Sequence, residues 1–169
     1  MEAHSFLTTP LLEKRLELSL GDDIKIKGFI DKILLREKNG KTYYAIFDYK
    51  TGKISFNLDY LDYGLHLQLP IYAYLLEKSN KTKDMELAGL FYQMLLVKNN
   101  DLEERKKSLK VFGIVADDIT TLELLDDEYE NSNWVKNLSV TKAGTLSRYL
   151  KTITKEEKEE LLNKIEELI

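Results

Sequence analysis

The 169-residue sequence predicts an α/β domain, a mixed β-sheet flanked by helices. Three observations carry this. Two strand-like runs, Ile24–Arg36 and Thr42–Lys50, close on Asn39-Gly40. A segment of helical period follows at Leu61–Asn80. A further apolar strand, Glu86–Lys98, comes after it, so the chain runs from a three-stranded meander through a helix to more strands.

The first strand is "RLELSL" (Arg15–Leu20), which alternates and is turned by Gly21-Asp22-Asp23. The second, Ile24–Arg36, is apolar on both faces in its second half, as a covered central strand would be. Asn39-Gly40 is the strongest short hairpin signal, because both turn residues need positive φ, and Thr42–Lys50 returns. Leu65, Leu69, Tyr72 and Leu76 then recur at helical spacing, predicting a helix that ends near Ser79. Pro70 requires that this helix either begin beside it or kink there. Asn99–Lys110 reads as a charged loop or protruding hairpin, and Val111–Asp118 as a fifth strand. Thr154 and Glu157 form a capping box ahead of a helix carrying Leu161, Leu162, Ile165 and Ile169. That helix stops in mid-pattern, which is expected of a piece cut from a longer chain. The reading is one domain over 1–169, with a core at 15–98 and a C-terminal extension at 99–169.

Composition narrows the chemistry. With no cysteine, disulfides, thiolate zinc and a cysteine nucleophile are excluded within these residues. Two histidines, His4 and His66, do not make a histidine-rich metal site. No apolar run reaches membrane-spanning length, and the first residues lack a secretory signal. A net charge of -4 weighs mildly against a nucleic-acid binder, although a local basic patch can sit on an acidic domain.

The hairpin sets the central question. Pairing back from Lys38 and Lys41 places Ile33 against Ile46, Asp31 against Asp48 and Phe29 against Lys50. Directly opposed Cβ atoms lie roughly 4.5–5.5 Å apart, so two like charges there repel and need an offset. A divalent cation with a taste for carboxylate oxygen is one solution. Neutralisation of one carboxylate by Lys50, or a wet position at the sheet edge, are the others.

Asp31 followed by Asp48-Tyr49-Lys50 resembles the D…(D/E)xK signature of the PD-(D/E)XK nuclease superfamily. "KGFID" (Lys27–Asp31) and "DYKTG" (Asp48–Gly52) resemble the GxID and DYK(S/T) segments of its RecB-type branch. "GLHLQLPIY" (Gly64–Tyr72) resembles the GxxxQxxxY helix that follows, with Gln68 and Tyr72 on one helix face. The tail, with "VFGIVADD", "LELLDD", "NLSVTKAGTLSRYLKT" and "TKEEKEELLNKIEELI", is similar to the C-terminal domain of the AddB/RexB subunits of bacterial helicase–nucleases.

The resemblance implies a restriction-endonuclease-like fold and a metal-dependent deoxyribonuclease, of exodeoxyribonuclease type, acting in DNA-end processing and recombinational repair. It implies Asp31 and Asp48 as ligands of Mg²⁺ or Mn²⁺, with the Tyr49 carbonyl as a further oxygen. It casts Lys50 as the group that positions or polarises the attacking water, and Gln68 and Tyr72 as orienting a phosphate or supporting the site. It further implies DNA as substrate, an AddA-like helicase/nuclease partner, no membrane and a cytoplasmic location. Many such proteins hold an iron–sulfur cluster through flanking cysteines; here such a cluster would belong to the full-length protein and not to this chain. The family's helix before the first strand, often the source of a third metal ligand, has no counterpart ahead of Arg15. His4 is read as an exposed terminal residue and Glu17 as solvated. Lys53, with Arg105, Lys106 and Lys107, are the DNA-contact candidates, against the plainer reading of charged surface. Two rival functions are a catalytically silent scaffold for DNA binding or subunit assembly, and a stand-alone nuclease.

Overall fold

The computed structural model describes residues 9–20, 24–52, 66–95 and 101–169. Its centre is a six-stranded sheet in sequential order: β1 (Thr9–Leu20), β2 (Ile24–Lys38), β3 (Lys41–Lys50), β4 (Asp84–Met94), β5 (Phe112–Ala116) and β6 (Lys151–Ile153). β1, β2 and β3 form the expected antiparallel meander. β4 lies parallel to β3, β5 antiparallel to β4, and β6 parallel to β5. The helices are α1 (Gln68–Ser79), α2 (Leu102–Ser108), α3 (Ile119–Leu125) and α4 (Lys155–Leu168).

Local chemistry accounts for the elements that matter to the site. Asn39 and Gly40 both take positive φ, 53° and 77°, as the tight hairpin requires. The ladder then zips from Lys38–Lys41 to Lys32–Phe47. α1 starts beside Pro70, not with a kink: Pro70 is its third residue, in the first turn, where a backbone donor has no helical partner anyway. Because α1 crosses over between β3 and β4, those strands run parallel.

Both sheet faces are covered. On one, Tyr44, Ile46, Leu90 and Ile114 pack with Leu69, Ala73 and Leu76 of α1 and Leu161, Leu162 and Ile165 of α4. On the other, Ala45, Phe47, Phe91 and Val115 pack with Leu122 and Leu125 of α3 and with Val135 and Leu138. The expected packing role of the Tyr43–Phe47 face is what the structure shows, Phe47 lying 5.2 Å from the Phe91 ring and 5.6 Å from Trp134.

α1 seats closely on the sheet because β2 has a glycine beneath it. A Cβ at Gly28 would come 2.9 Å from Leu75 Cδ1 and 3.2 Å from the Tyr72 ring. At its other end α1 is tied down by Glu77, which accepts from Tyr44 Oη at 2.7 Å and from the buried Lys158 of α4 at 3.1 Å.

Several boundaries differ from the sequence expectation. β1 begins at Thr9, six residues before Arg15. The charged stretch after β4 is not simply a loop or hairpin: Leu102–Ser108 is helical. Asp101 caps it by accepting from the amides of Glu103 and Glu104, and acids in the first turn and bases in the last suit the helix dipole. β5 stops at Ala116 because Asp118 caps α3 through Thr121. The helix Lys155–Leu168 carries the full Thr154–Glu157 capping box.

Glu86 of β4 provides a test of this packing. Burial acts to raise its pKa, but Lys41 at 2.6 Å and Lys155 at 3.0 Å outweigh it and hold it below the ordinary 4.5. A depressed acid contributes stability above its unfolded pKa and loses it as pH falls. Glu86→Gln is expected to cost on the order of 1 kcal/mol in chemical denaturation at pH 7. The deficit should vanish as the pH is taken below 4.5.

Candidate functional site

The β2–β3 ladder ends at Lys32–Phe47. Beyond it β2 stays with β1, and β3 stays with β4 through Lys50–Met94, so the sheet forks. The irregularity is visible in both strands of the first arm. Glu13, opposite Asp31, takes a φ of 49° and drops out of the pairing. Gly28 and Ile30 face the α1 core before this point, and Ile33 faces the same core after it, so the alternation slips by one residue at Asp31.

This corrects the expected register at the two aspartates. Asp31 does not pair with Asp48, nor Phe29 with Lys50. Instead the Asp31 Oδ2 accepts from the Tyr49 amide at 2.7 Å, taking a donor that a continued ladder would give to a β2 carbonyl. The carboxylate therefore sits in the crotch of the fork, near enough for its charge to act on Asp48.

Asp48 is the buried member, at 3% exposure. Lys50 Nζ lies 2.6 Å from its Oδ2, and Gln68 Nε2 donates to its Oδ1 at 2.6 Å. The Gln68 carbonyl accepts from Lys50 Nζ at 2.7 Å, and its second amide hydrogen reaches Tyr72 Oη at 3.0 Å. Charge fixes the Gln68 orientation, since the reverse would set an NH₂ against an ammonium and a carbonyl against a carboxylate. Burial raises the Asp48 pKa, Lys50 opposes this, and Asp31 adds to it.

Tyr92 is a residue the sequence reading missed. It pairs with Asp48 across β3 and β4, is 4% exposed, and places its ring centroid 5.5 Å from Lys50 Nζ. Burial, then the charge of Asp48, push its phenol up to about 12, so it stays neutral. A tyrosine within an apolar strand carries no pattern that marks it out; only its register against Asp48 does.

The structure thus brings Asp31, Asp48, Lys50, Gln68 and Tyr72 together, with Tyr49 joining through a donating amide. It does not bring in Arg105, Lys106 or Lys107. They lie on α2, which buries no residue, and Lys106 and Lys107 are engaged by Glu103 and Glu104 at 2.9 and 2.8 Å. Glu17 is ion-paired with Arg15 at 3.0 Å. His4 and Lys53 lie outside the described residues.

A hard divalent cation suits this donor set. Asp48 Oδ2 is buried and receives no directed hydrogen bond despite the nearby ammonium, and a second carboxylate stands across the fork. Among the described residues no third Asp, Glu, His or Cys completes a cluster. No helix is long and apolar enough to cross a membrane.

Residues 3–169 match the family model of the PD-(D/E)XK nuclease superfamily. The chain is also similar to the AddB-like subunit of the ATP-dependent helicase/deoxyribonuclease of several bacteria. Against the Thermoanaerobacter sp. (strain X514) protein it is 32% identical over 164 residues, covering 90% of this chain and 14% of that one. Against the Clostridium acetobutylicum protein it is 34% identical, with 90% and 14% covered. Against the Carboxydothermus hydrogenoformans protein it is 37% identical, with 88% and 15% covered. The chain therefore spans about a seventh of the length of these relatives.

The direction of the Asp48 shift has a measurable consequence. A carboxyl whose folded pKa is raised above 3.8 stabilises the fold in its neutral form, and that contribution is lost as pH rises through the folded value. In the metal-free chain, Asp48→Asn is expected to raise the thermal midpoint at pH 7. The gain should shrink to nothing below pH 3.8. Scanning calorimetry in chelator checks it.

Proposed function

The chain belongs to the PD-(D/E)XK nuclease superfamily, and from that premise we propose that it hydrolyses DNA phosphodiester bonds at Asp31, Asp48 and Lys50 in a divalent-metal-dependent reaction. The observation that carries the proposal is the buried Asp48 with its undirected Oδ2, facing Lys50 and clamped by Gln68.

Asp31 and Asp48 would hold Mg²⁺ or Mn²⁺. The bound cation would supply Lewis-acid polarisation of a phosphoryl oxygen and lower the pKa of its water. The rest is the work of the chain. Lys50 uses two of its three donors on Asp48 and Gln68, which aims the third at the reacting phosphate or at the attacking water. Gln68 keeps the ammonium and the carboxylate at a fixed spacing, and Tyr72 fixes Gln68. Tyr92 and the apolar strands behind Asp48 keep water from the buried side, so these charges act in a medium of low polarisability.

The relatives' printed name supports a place for this domain within a larger helicase–nuclease subunit acting on DNA ends in recombinational repair, with an AddA-like partner and a cytoplasmic setting. An exonucleolytic mode fits that setting.

Incubation of the chain with linear DNA in Mg²⁺ or Mn²⁺ tests the proposal. Degradation should fall by about 100-fold or more in Lys50→Ala, and at least as far in Asp48→Ala. Equal degradation by wild type and both variants would remove the assignment.

A further inference from the structure

The fork has a second consequence. Its first arm is a two-stranded ribbon, Lys14–Leu20 against Ile24–Ile30, and the face of this ribbon turned away from α1 is exposed. Cross-strand pairing gathers Arg15 with Phe29, Glu17 with Lys27, and Ser19 with Lys25 on that face. Phe29 is 61% exposed, unusual for a large aromatic ring in mid-strand. The Arg15 guanidinium lies 5.9 Å from its centroid, so a planar cation and an aromatic ring stand side by side as stacking surfaces.

The charges on this face do not balance. Glu17 is shared among Arg15 at 3.0 Å, Lys25 at 3.8 Å and Lys27 at 3.9 Å. Three cations thus surround one carboxylate, a local excess of positive charge on a chain of net charge -4. Basic side chains at strand spacing with an exposed aromatic between them suit a polyanion that carries flat bases. Phe29 is two residues from Asp31, so a strand laid along the ribbon runs into the crotch that holds the carboxylates.

We propose that the outer face of the β1–β2 ribbon, through Arg15, Lys25, Lys27 and Phe29, binds the backbone of a single DNA strand and stacks one of its bases, delivering that strand to the Asp31–Asp48 site. This rests on the nuclease reading for its purpose, but not for its test. The surface replaces α2 as the DNA-contact candidate, because the cations of the ribbon outnumber their acidic partner, whereas Lys106 and Lys107 each have a glutamate.

The test is fluorescence anisotropy of a labelled single-stranded oligonucleotide with the full chain in EDTA, where cleavage cannot occur, across a salt series. Lys25→Gln/Lys27→Gln is expected to weaken binding and to flatten the log K against log[salt] slope by about 1.4, from roughly 0.7 per single-strand phosphate contact. Phe29→Ala should weaken binding roughly ten-fold through lost stacking, with little change in the salt slope. Glu17→Gln should tighten binding by freeing its cations, a gain that misfolding cannot mimic. Wild-type affinity and slope in the double lysine variant, or unchanged affinity in Glu17→Gln, would overturn the proposal. Parallel cleavage assays in Mg²⁺ separate the two claims. Lysine-dependent binding without cleavage by wild type keeps the surface and removes the nuclease reading. Cleavage by wild type with binding indifferent to these variants does the reverse.

Discussion

Everything near the site depends on one electrostatic constraint: Asp48 is a carboxylate withdrawn almost entirely from water. An unpaired charge in that position would be too costly to keep ionised. The surrounding groups read as compensation for it. Lys50 brings an opposite charge to Oδ2, Gln68 brings a hydrogen bond to Oδ1, and Tyr72 holds Gln68 in the orientation that serves both. The compensation is incomplete, since burial still leaves the Asp48 pKa raised and Oδ2 lacks a directed donor. A site left short of positive charge in this way is prepared for a cation.

The fold delivers these groups by three devices. The end of the β2–β3 ladder at Lys32–Phe47 frees Asp31 to turn its side chain onto the Tyr49 amide. Gly28 lets α1 approach β2 closely enough for Gln68 to reach Asp48 and Lys50. The Tyr44–Glu77–Lys158 network ties the far end of α1 to β3 and α4. The C-terminal helix thus acts on the site indirectly, by fixing the axis of the helix that carries Gln68 and Tyr72.

Much of this was legible in the sequence because local signals agreed with one another. Asn39-Gly40 set the hairpin register, which held from Lys38 to Lys32. Gln68 and Tyr72 were recognisable from their spacing and order after the Asp-x-Lys, and the capping box marked α4. What escaped depended on tertiary choices. The departure at Asp31 replaces a backbone acceptor by a side-chain one, and no residue pattern announces that. α2 looked like charged surface because its helix is sustained by caps and ion pairs and has no apolar stripe. β6 has three residues, too few for alternation to register. The ribbon face was hidden because Arg15, Lys25 and Lys27 are scattered in sequence and become neighbours only through cross-strand pairing.

The most direct measurement of the central claim is an isothermal titration of Mn²⁺ into the chain, beside Asp31→Ala and Asp48→Ala. Saturable binding that disappears in both variants is the predicted result, because the two carboxylates across the fork would be the anchoring ligands. Undiminished binding in either variant, or none in the wild type, would contradict the account and leave the Asp48–Lys50–Gln68 cluster as a structural ion pair.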